Sequence, residues 1–229
     1  MSKQPDNPYV SRGGLKLAAA IDAFDLADTV GIAGKTCCDL GCSVGGFVDV
    51  WLQRGAAKVY AVDTAYGTLA WKLRQDERVV VMERQNALHV ALPEKVDLVS
   101  LDLGWTKQDK AIPAALSVLQ DHADARIVTL IKPHYEKPHA EGQDEQVGET
   151  HDGARKSKRG KKHLKNKGKK HAPLSEEEAA LVTEHVCHNI LPGLGVEVLG
   201  CIKSPIKGAK GGNVEYLAIL KRAAAAGGS

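Results

Sequence analysis

The chain has 229 residues, 43% of them apolar, and a formal net charge of +3, enough for one α/β domain with a sizeable core. No apolar run approaches the ~20 residues that span a bilayer. The polar stretch from Met1 to Val10, with its two prolines, lacks the apolar heart of a signal peptide. The expectation is a cytoplasmic protein with no membrane partner. Charge is unevenly spread. Residues 151–171 carry ten Lys/Arg against the single Asp152, which is +9 there and −6 for the rest, against +3 overall. The five cysteines (Cys37, Cys38, Cys42, Cys187, Cys201) are odd in number and form no C-x-x-C pair. They read as reduced, mostly buried thiols, with no disulfide frame and no metal site. His185-x-Cys187-His188 reads as helix surface, because neighbouring helical positions diverge.

In chain order, Tyr9 to Leu17 opens the ordered part, and an apolar stripe predicts a helix over 14–24. Strand one is read at 36–40, followed by a helix over 45–54 that Gly55 ends. Strand two is 58–63, with a short helix through Leu69, Trp71 and Leu73. Strand three is 79–82. Strand four is 96–101, ending at Asp102, and a helix covers 110–120. Strand five is 126–131, ending at Lys132 and stopped by Pro133. Each strand in this half is read as followed by a helical pattern and closed by a polar residue. That alternation predicts a parallel sheet with ligands at the carboxyl edge of its strands.

Residues 137–173 break the pattern. They are rich in Gly, Lys, His and Glu and nearly free of large apolar groups, so they read as a mobile basic insertion in one domain covering 1–229. Ser175 with Glu178 fits a capping box, and a helix is predicted to about Ile190. Strands six and seven are read at 195–202 and 213–220, with a frayed tail from Ala223.

The most informative stretch is Thr36-Cys37-Cys38-Asp39-Leu40-Gly41-Cys42-Ser43-Val44-Gly45-Gly46-Phe47-Val48-Asp49. An apolar run ends in an acid, three glycines follow within a short span, and an amphipathic pattern begins. This predicts a buried strand, a tight turn and a helix start with unpaired N–H groups. Gly41-x-x-x-Gly45-Gly46 is not the G-x-G-x-x-G of dinucleotide sites, which argues against an NAD-dependent oxidoreductase. It is similar to motif I of class I S-adenosylmethionine (SAM) methyltransferases. An ordinary strand–turn–helix with packing glycines is the other reading of this stretch taken alone.

Further motifs line up in order: Ser11-Arg12-Gly13-Gly14-Leu15-Lys16-Leu17, Tyr60-Ala61-Val62-Asp63, Glu83-Arg84-x-Asn86-Ala87, Lys132-Pro133, and Ser204-Pro205-Ile206-x-Gly208-x-x-x-Gly212-Asn213-x-Glu215-Tyr216. Together with the glycine turn, they resemble the TlyA-like branch of the FtsJ-type RNA 2′-O-methyltransferases. The resemblance covers nearly the whole chain outside the basic insertion. It implies a Rossmann-like class I methyltransferase, α/β, with a mostly parallel seven-stranded sheet and helices on both faces. It also implies SAM as methyl donor and ribosomal RNA, or a ribosomal subunit, as partner.

Matched motif by motif, the family's Lys-Asp-Lys-Glu catalytic set falls on Lys16, Asp102, Lys132 and Glu215. The cofactor-binding positions implied are Asp39, Gly41, Ser43, Gly45, Gly46, Phe47, Asp63, Asn86 and Asp102, with Asp63 toward the ribose hydroxyls and Asn86 toward the adenine edge. The chain departs from the family pattern in three places. Only about ten residues precede the first motif, where relatives carry an S4 RNA-binding domain. Leu103-Gly104-Trp105 follows Asp102, where the family has Ser-Phe. The insertion is longer and more basic than in the family.

Each position has a plain alternative. Lys16 could snorkel from a helix stripe, Glu215 could face solvent from a strand, and a polar residue after a strand is commonly a turn former. Lys132 is the least easily dismissed, set between an apolar strand and a proline. The basic segment, with Arg155, Lys156, Lys158, Arg159, Lys161, Lys162, Lys165, Lys167, Lys169 and Lys170, reads as an RNA-phosphate contact, or else as a solvated loop. It has no aromatic residue, so base reading is not expected there. A non-catalytic RNA-binding protein on a vestigial SAM fold is the alternative function. A membrane-active haemolysin finds no support in any amphipathic apolar stretch.

Overall fold

A computed structural model describes residues 7–137, 173–208 and 212–224. Helix α1 (Gly14–Ala23) and the short α2 (Leu26–Thr29) lead into β1 (Thr36–Leu40), α3 (Gly46–Gln53) and β2 (Lys58–Asp63). Next come α4 (Trp71–Arg74), β3 (Val79–Glu83), β4 (Leu98–Leu101), α5 (Gln108–Val118), β5 (Arg126–Ile131) and the single turn α6 (Pro133–Glu136). After the undescribed stretch, α7 (Glu176–His185) passes into a π-helical turn, Val186–Ile190, and then β6 (Val196–Lys203) and β7 (Tyr216–Arg222) close the chain.

The strands form one sheet in the order β3-β2-β1-β4-β5-β7-β6. The first five run parallel, and β7 inserts antiparallel between β5 and β6. Strand side chains alternate between two cores, as a period of two requires. Cys37, Val59 and Ala61 face α1 and α3, where Leu17, Ile21, Val48 and Trp51 are buried. Cys38, Tyr60 and Val62 face the other way, toward Ile112 and Ala115 of α5 and toward Val186 and Leu191. This is the Rossmann-like architecture that the resemblance implies. Because the strand order reverses between β1 and β4, a crevice opens at their carboxyl ends.

Several boundaries differ from the sequence reading. No helix follows β3: residues 84–97 turn back without one, because Asn86 Oδ1 accepts from Leu88 N (3.0 Å) in a local turn and Pro93 lies further along. Val96 makes only an isolated bridge to Leu119, so β4 starts at Leu98. Helix α5 begins two residues earlier than read, because the buried Glu136 carboxylate accepts from Gln108 N (3.0 Å) and caps it from another element. Pro133 ends β5 but also starts α6, the position where a missing N–H costs nothing. The Ser175–Glu178 capping box is present in both directions (3.1 and 2.9 Å), but α-geometry ends at His185 and the π turn completes the element. Glu215 lies just before β7 rather than within it. All five cysteines are free; four are buried, and Cys201 is exposed.

Candidate active site

The turn after β1 is shaped by close approaches. Gly41 has φ +92°, and a Cβ there would sit 2.6 Å from the Asp102 carbonyl oxygen. Only glycine lets the β1 and β4 exits come this near. Gly46 starts α3, and a Cβ on it would meet Ser11 Oγ at 2.4 Å and Gly14 N at 2.7 Å. The segment ahead of α1 therefore lies directly over the turn, fixed also by Val10 N donating to Asp49 Oδ2 (2.8 Å). The result is a cleft of ≈ 240 Å³ lined by Ser11, Arg12, Gly13, Lys16, Asp39, Gly41, Ser43, Gly46, Phe47, Asp102, Ile206 and Lys207, among others.

Four charged side chains stand in alternating sign beside this cleft. Lys132 Nζ lies 2.6 Å from Asp102 Oδ1 and donates to the Leu103 carbonyl at 2.9 Å. Asp102 Oδ2 is 3.8 Å from Lys16 Nζ, which lies 2.6 Å from Glu215 Oε2. The Lys16 and Glu215 side chains are only 9% and 5% exposed, whereas Asp102 keeps 28%. Lys16 neither snorkels nor sits on a wet face, and Glu215 does not face solvent. Burying these charges is tolerable because each has an opposite partner. Lys16 and Asp102 line the cleft; Lys132 and Glu215 flank them on the far sides. The four come from α1, the end of β4, the end of β5 and the approach to β7, and the sheet order brings those ends together.

Asp39 is buried beneath the turn, with Ser100 Oγ donating to its Oδ1 (2.7 Å) and Trp51 Nε1 donating to Ser100 Oγ (3.0 Å). Burial pushes its pKa up to about 8; the Ser100 hydrogen bond opposes the rise, and the negative Asp102 and Asp63 add to it. Asp63, at the end of β2, accepts from Ser43 N (2.7 Å) and Ala65 N (2.8 Å), one on each oxygen. Each oxygen keeps a second lone pair for an incoming hydroxyl.

Three cofactor candidates lie outside the cleft lining: Asp63, joined to it through Ser43 N, then Gly45 and Asn86. Gly45 packs against Leu69 and Leu73 instead of the cleft. Asn86 is exposed on the loop after β3, with its side-chain oxygen committed to Leu88 N, so its amide N–H groups are what remain for a ligand. The ten basic candidates from Arg155 to Lys170 lie outside the described residues.

Sequence reasoning missed Arg12, Ile206 and Lys207 as cleft walls, and Ser100 as the support of Asp39. Arg12 and Ile206 are named positions of the quoted motifs, so their signal was present, whereas Lys207 falls on an unspecified position. Ser100 carried none, being one serine in an apolar strand. Trp105 stands 73% exposed on the loop after Asp102 at φ +54°, its ring centroid 6.4 Å from that of Tyr135. An aromatic pair in this position offers a stacking surface beside the charged set.

An open α/β sheet in the order β3-β2-β1-β4-β5-β7-β6, with β7 alone running antiparallel and a glycine turn under the β1/β4 crevice, has the class I methyltransferase fold. The FtsJ-like methyltransferase family profile matches residues 9–140, and the chain belongs to that family. It is 44% identical over 150 residues to the 16S/23S rRNA (cytidine-2'-O)-methyltransferase TlyA of Mycobacterium tuberculosis strain H37Rv, covering 64% of this chain and 53% of that protein. It is 34% identical over 217 residues to Hemolysin A of Brachyspira hyodysenteriae, covering 92% and 75%. A solved structure from Streptococcus thermophilus superposes with a TM-score of 0.74 at 32% identity, covering 96% of this chain and 70% of that one. The chain thus spans about half the length of the M. tuberculosis relative. Among the described residues, no helix is long and apolar enough to cross a membrane.

Proposed function

We propose that this chain methylates a ribose 2′-hydroxyl of ribosomal RNA with S-adenosylmethionine as donor. The observation that carries the proposal is the run Lys132–Asp102–Lys16–Glu215, with successive distances of 2.6, 3.8 and 2.6 Å, set against the glycine turn. A family relative named for cytidine-2′-O methylation of rRNA gives the acceptor its class.

The residues present suit this cofactor. The turn at Gly41 and Gly46 admits a backbone-hugging ligand, Asp39 offers a buried carboxylate at the end where an amino-acid ammonium would lie, and Asp63 retains acceptors for ribose hydroxyls. When bound, the cofactor supplies a methyl group activated by a positive sulfur. Lys132 donates to Asp102 and to the Leu103 carbonyl, leaving the third position on Nζ to face the acceptor hydroxyl and hold it in line. The hydroxyl proton passes to the Nζ lone pair at that position, and the ammonium so formed is neutralised by Asp102 Oδ1. Lys16 neutralises the second oxygen of Asp102 and is itself fixed by Glu215, so the carboxylate cannot swing away. Trp105 and Tyr135 present rings on which the acceptor base can stack. The basic segment 151–171 adds sequence-independent attraction for phosphates.

The test is incubation of the protein with methyl-labelled cofactor and total ribosomal RNA, followed by nuclease mapping of the labelled nucleoside. A labelled 2′-O-methylribose supports the reading. Label on a base, or none in RNA, overturns it.

A further inference from the structure

The two sides of the connection from β6 to β7 are joined by two backbone hydrogen bonds. Ser204 N donates to the Glu215 carbonyl (2.8 Å), and Gly208 N donates to the Asn213 carbonyl (2.9 Å). The loop is also tied to the segment ahead of α1, where Arg12 Nη2 donates to the Lys207 carbonyl (2.8 Å). Its inner wall meets Glu215. A Cβ placed on Gly208 would lie 2.7 Å from Glu215 Oε1 and 3.2 Å from its Cδ. Gly208 is not among the residues with left-handed backbone, so the restriction is one of space and not of conformation.

The contact has little slack. Glu215 is 5% exposed, and its other oxygen is 2.6 Å from Lys16 Nζ. A methyl group at position 208 would have to move that carboxylate, and moving it would release Lys16 from one side of Asp102.

We infer that Gly208 is a positioning residue: the bare backbone at this point is the surface against which the Glu215 carboxylate is seated so that it can hold Lys16. The inference rests on the methyl-transfer reading of the Lys132–Asp102–Lys16–Glu215 set. It adds to it a residue outside the lining of the cleft. Gly208→Ala acts through Glu215, and its effect depends on the length of that side chain. Glu215→Asp withdraws the carboxylate by one methylene and makes room for the added methyl.

The experiment is a double-variant cycle with two readouts. Gly208→Ala lowers kcat about a hundredfold, the scale of an ångström-sized misplacement, while cofactor Kd by calorimetry stays within about twofold, as for an interaction made only at the transition state. Glu215→Asp by itself draws the carboxylate away from Lys16, so in that background Gly208→Ala lowers kcat no further, a non-additivity expected only of groups in contact. Melting temperature follows the same pattern: Gly208→Ala lowers it with Glu215 present and leaves it unchanged beside Asp. Wild-type kcat in Gly208→Ala, or strict additivity in both readouts, overturns the inference. If the wild-type chain transfers no methyl group, it is the tetrad reading that fails, and the melting-temperature cycle alone then decides the seating of Glu215.

Discussion

Asp39 shows how one side chain acquires chemistry from its surroundings. An ordinary aspartate is ionised above about pH 4, but burial lifts this one to about 8. Between those values the folded protein holds a proton that the unfolded chain has released, so stability falls as pH rises, by about 1.4 kcal/mol per pH unit for one group. Asp39→Asn removes that contribution. Chemical denaturation between pH 5 and 8 should give a flatter stability profile for the variant. A ligand ammonium beside Asp39 would favour the ionised form, so cofactor affinity in the wild type should strengthen as pH rises toward 8 and level off above it, and that dependence should vanish in Asp39→Asn. Calorimetric titrations across the range measure it. The position of Asp39 at the strand end was legible from the run of residues that precedes Gly41. Its burial and its Ser100 partner, 61 residues away, were not: they depend on which strand lies beside β1. The same holds for Lys16 and Glu215. Their motifs could be matched, but the 2.6 Å approach of two residues so far apart in sequence arises only once α1 and the approach to β7 meet.

At the scale of elements, the strands were readable because their apolar runs are short, β-branched and closed by polar residues. Helix starts were readable where the signal is local, in the apolar stripe of α1, the glycine turn before α3 and the cap of α7. Ser175 and Glu178 cap α7 within four residues, and that motif is visible in the sequence. Helix α5 takes its cap from Glu136, 28 residues on, so its start was misjudged. Glu136 follows Lys132 by one turn, and α5 follows Asp102 through the Trp105 loop, so this cap also ties the two exits that carry the Lys132–Asp102 pair. Removing it with Glu136→Ala should cost about 1 kcal/mol, the ordinary worth of a cap, and lower the melting temperature by roughly 2–4 °C. Glu136→Gln retains an acceptor oxygen and should cost less. Equal melting temperatures for wild type and Glu136→Ala would show that Glu136 does not cap α5. The missing helix after β3 has the opposite origin: the local turn at Asn86 overrides the alternation that holds elsewhere in the parallel half.

At the scale of the molecule, charge and site are separate features that the proposed function joins. The segment 151–171 holds ten Lys/Arg, while the cleft is built from residues before Glu136 and after Ser204. Deleting 151–171 should leave cofactor binding intact. It should reduce the slope of log affinity for ribosomal RNA against log salt by about 0.7–0.9 for each phosphate that is no longer neutralised. An unchanged slope in filter-binding titrations would show that the segment does not touch RNA. On the proposed function, the sheet rim that brings two amines and two carboxylates beside the glycine turn would be where the methyl group is transferred. The most direct measurement is a single-turnover assay of Lys132→Ala on ribosomal RNA, run beside calorimetry with S-adenosylmethionine. Cofactor affinity should stay within about threefold of wild type while 2′-O-methylation falls about a thousandfold, on the scale of general acid–base catalysis. Methylation at the wild-type rate in Lys132→Ala would contradict that assignment.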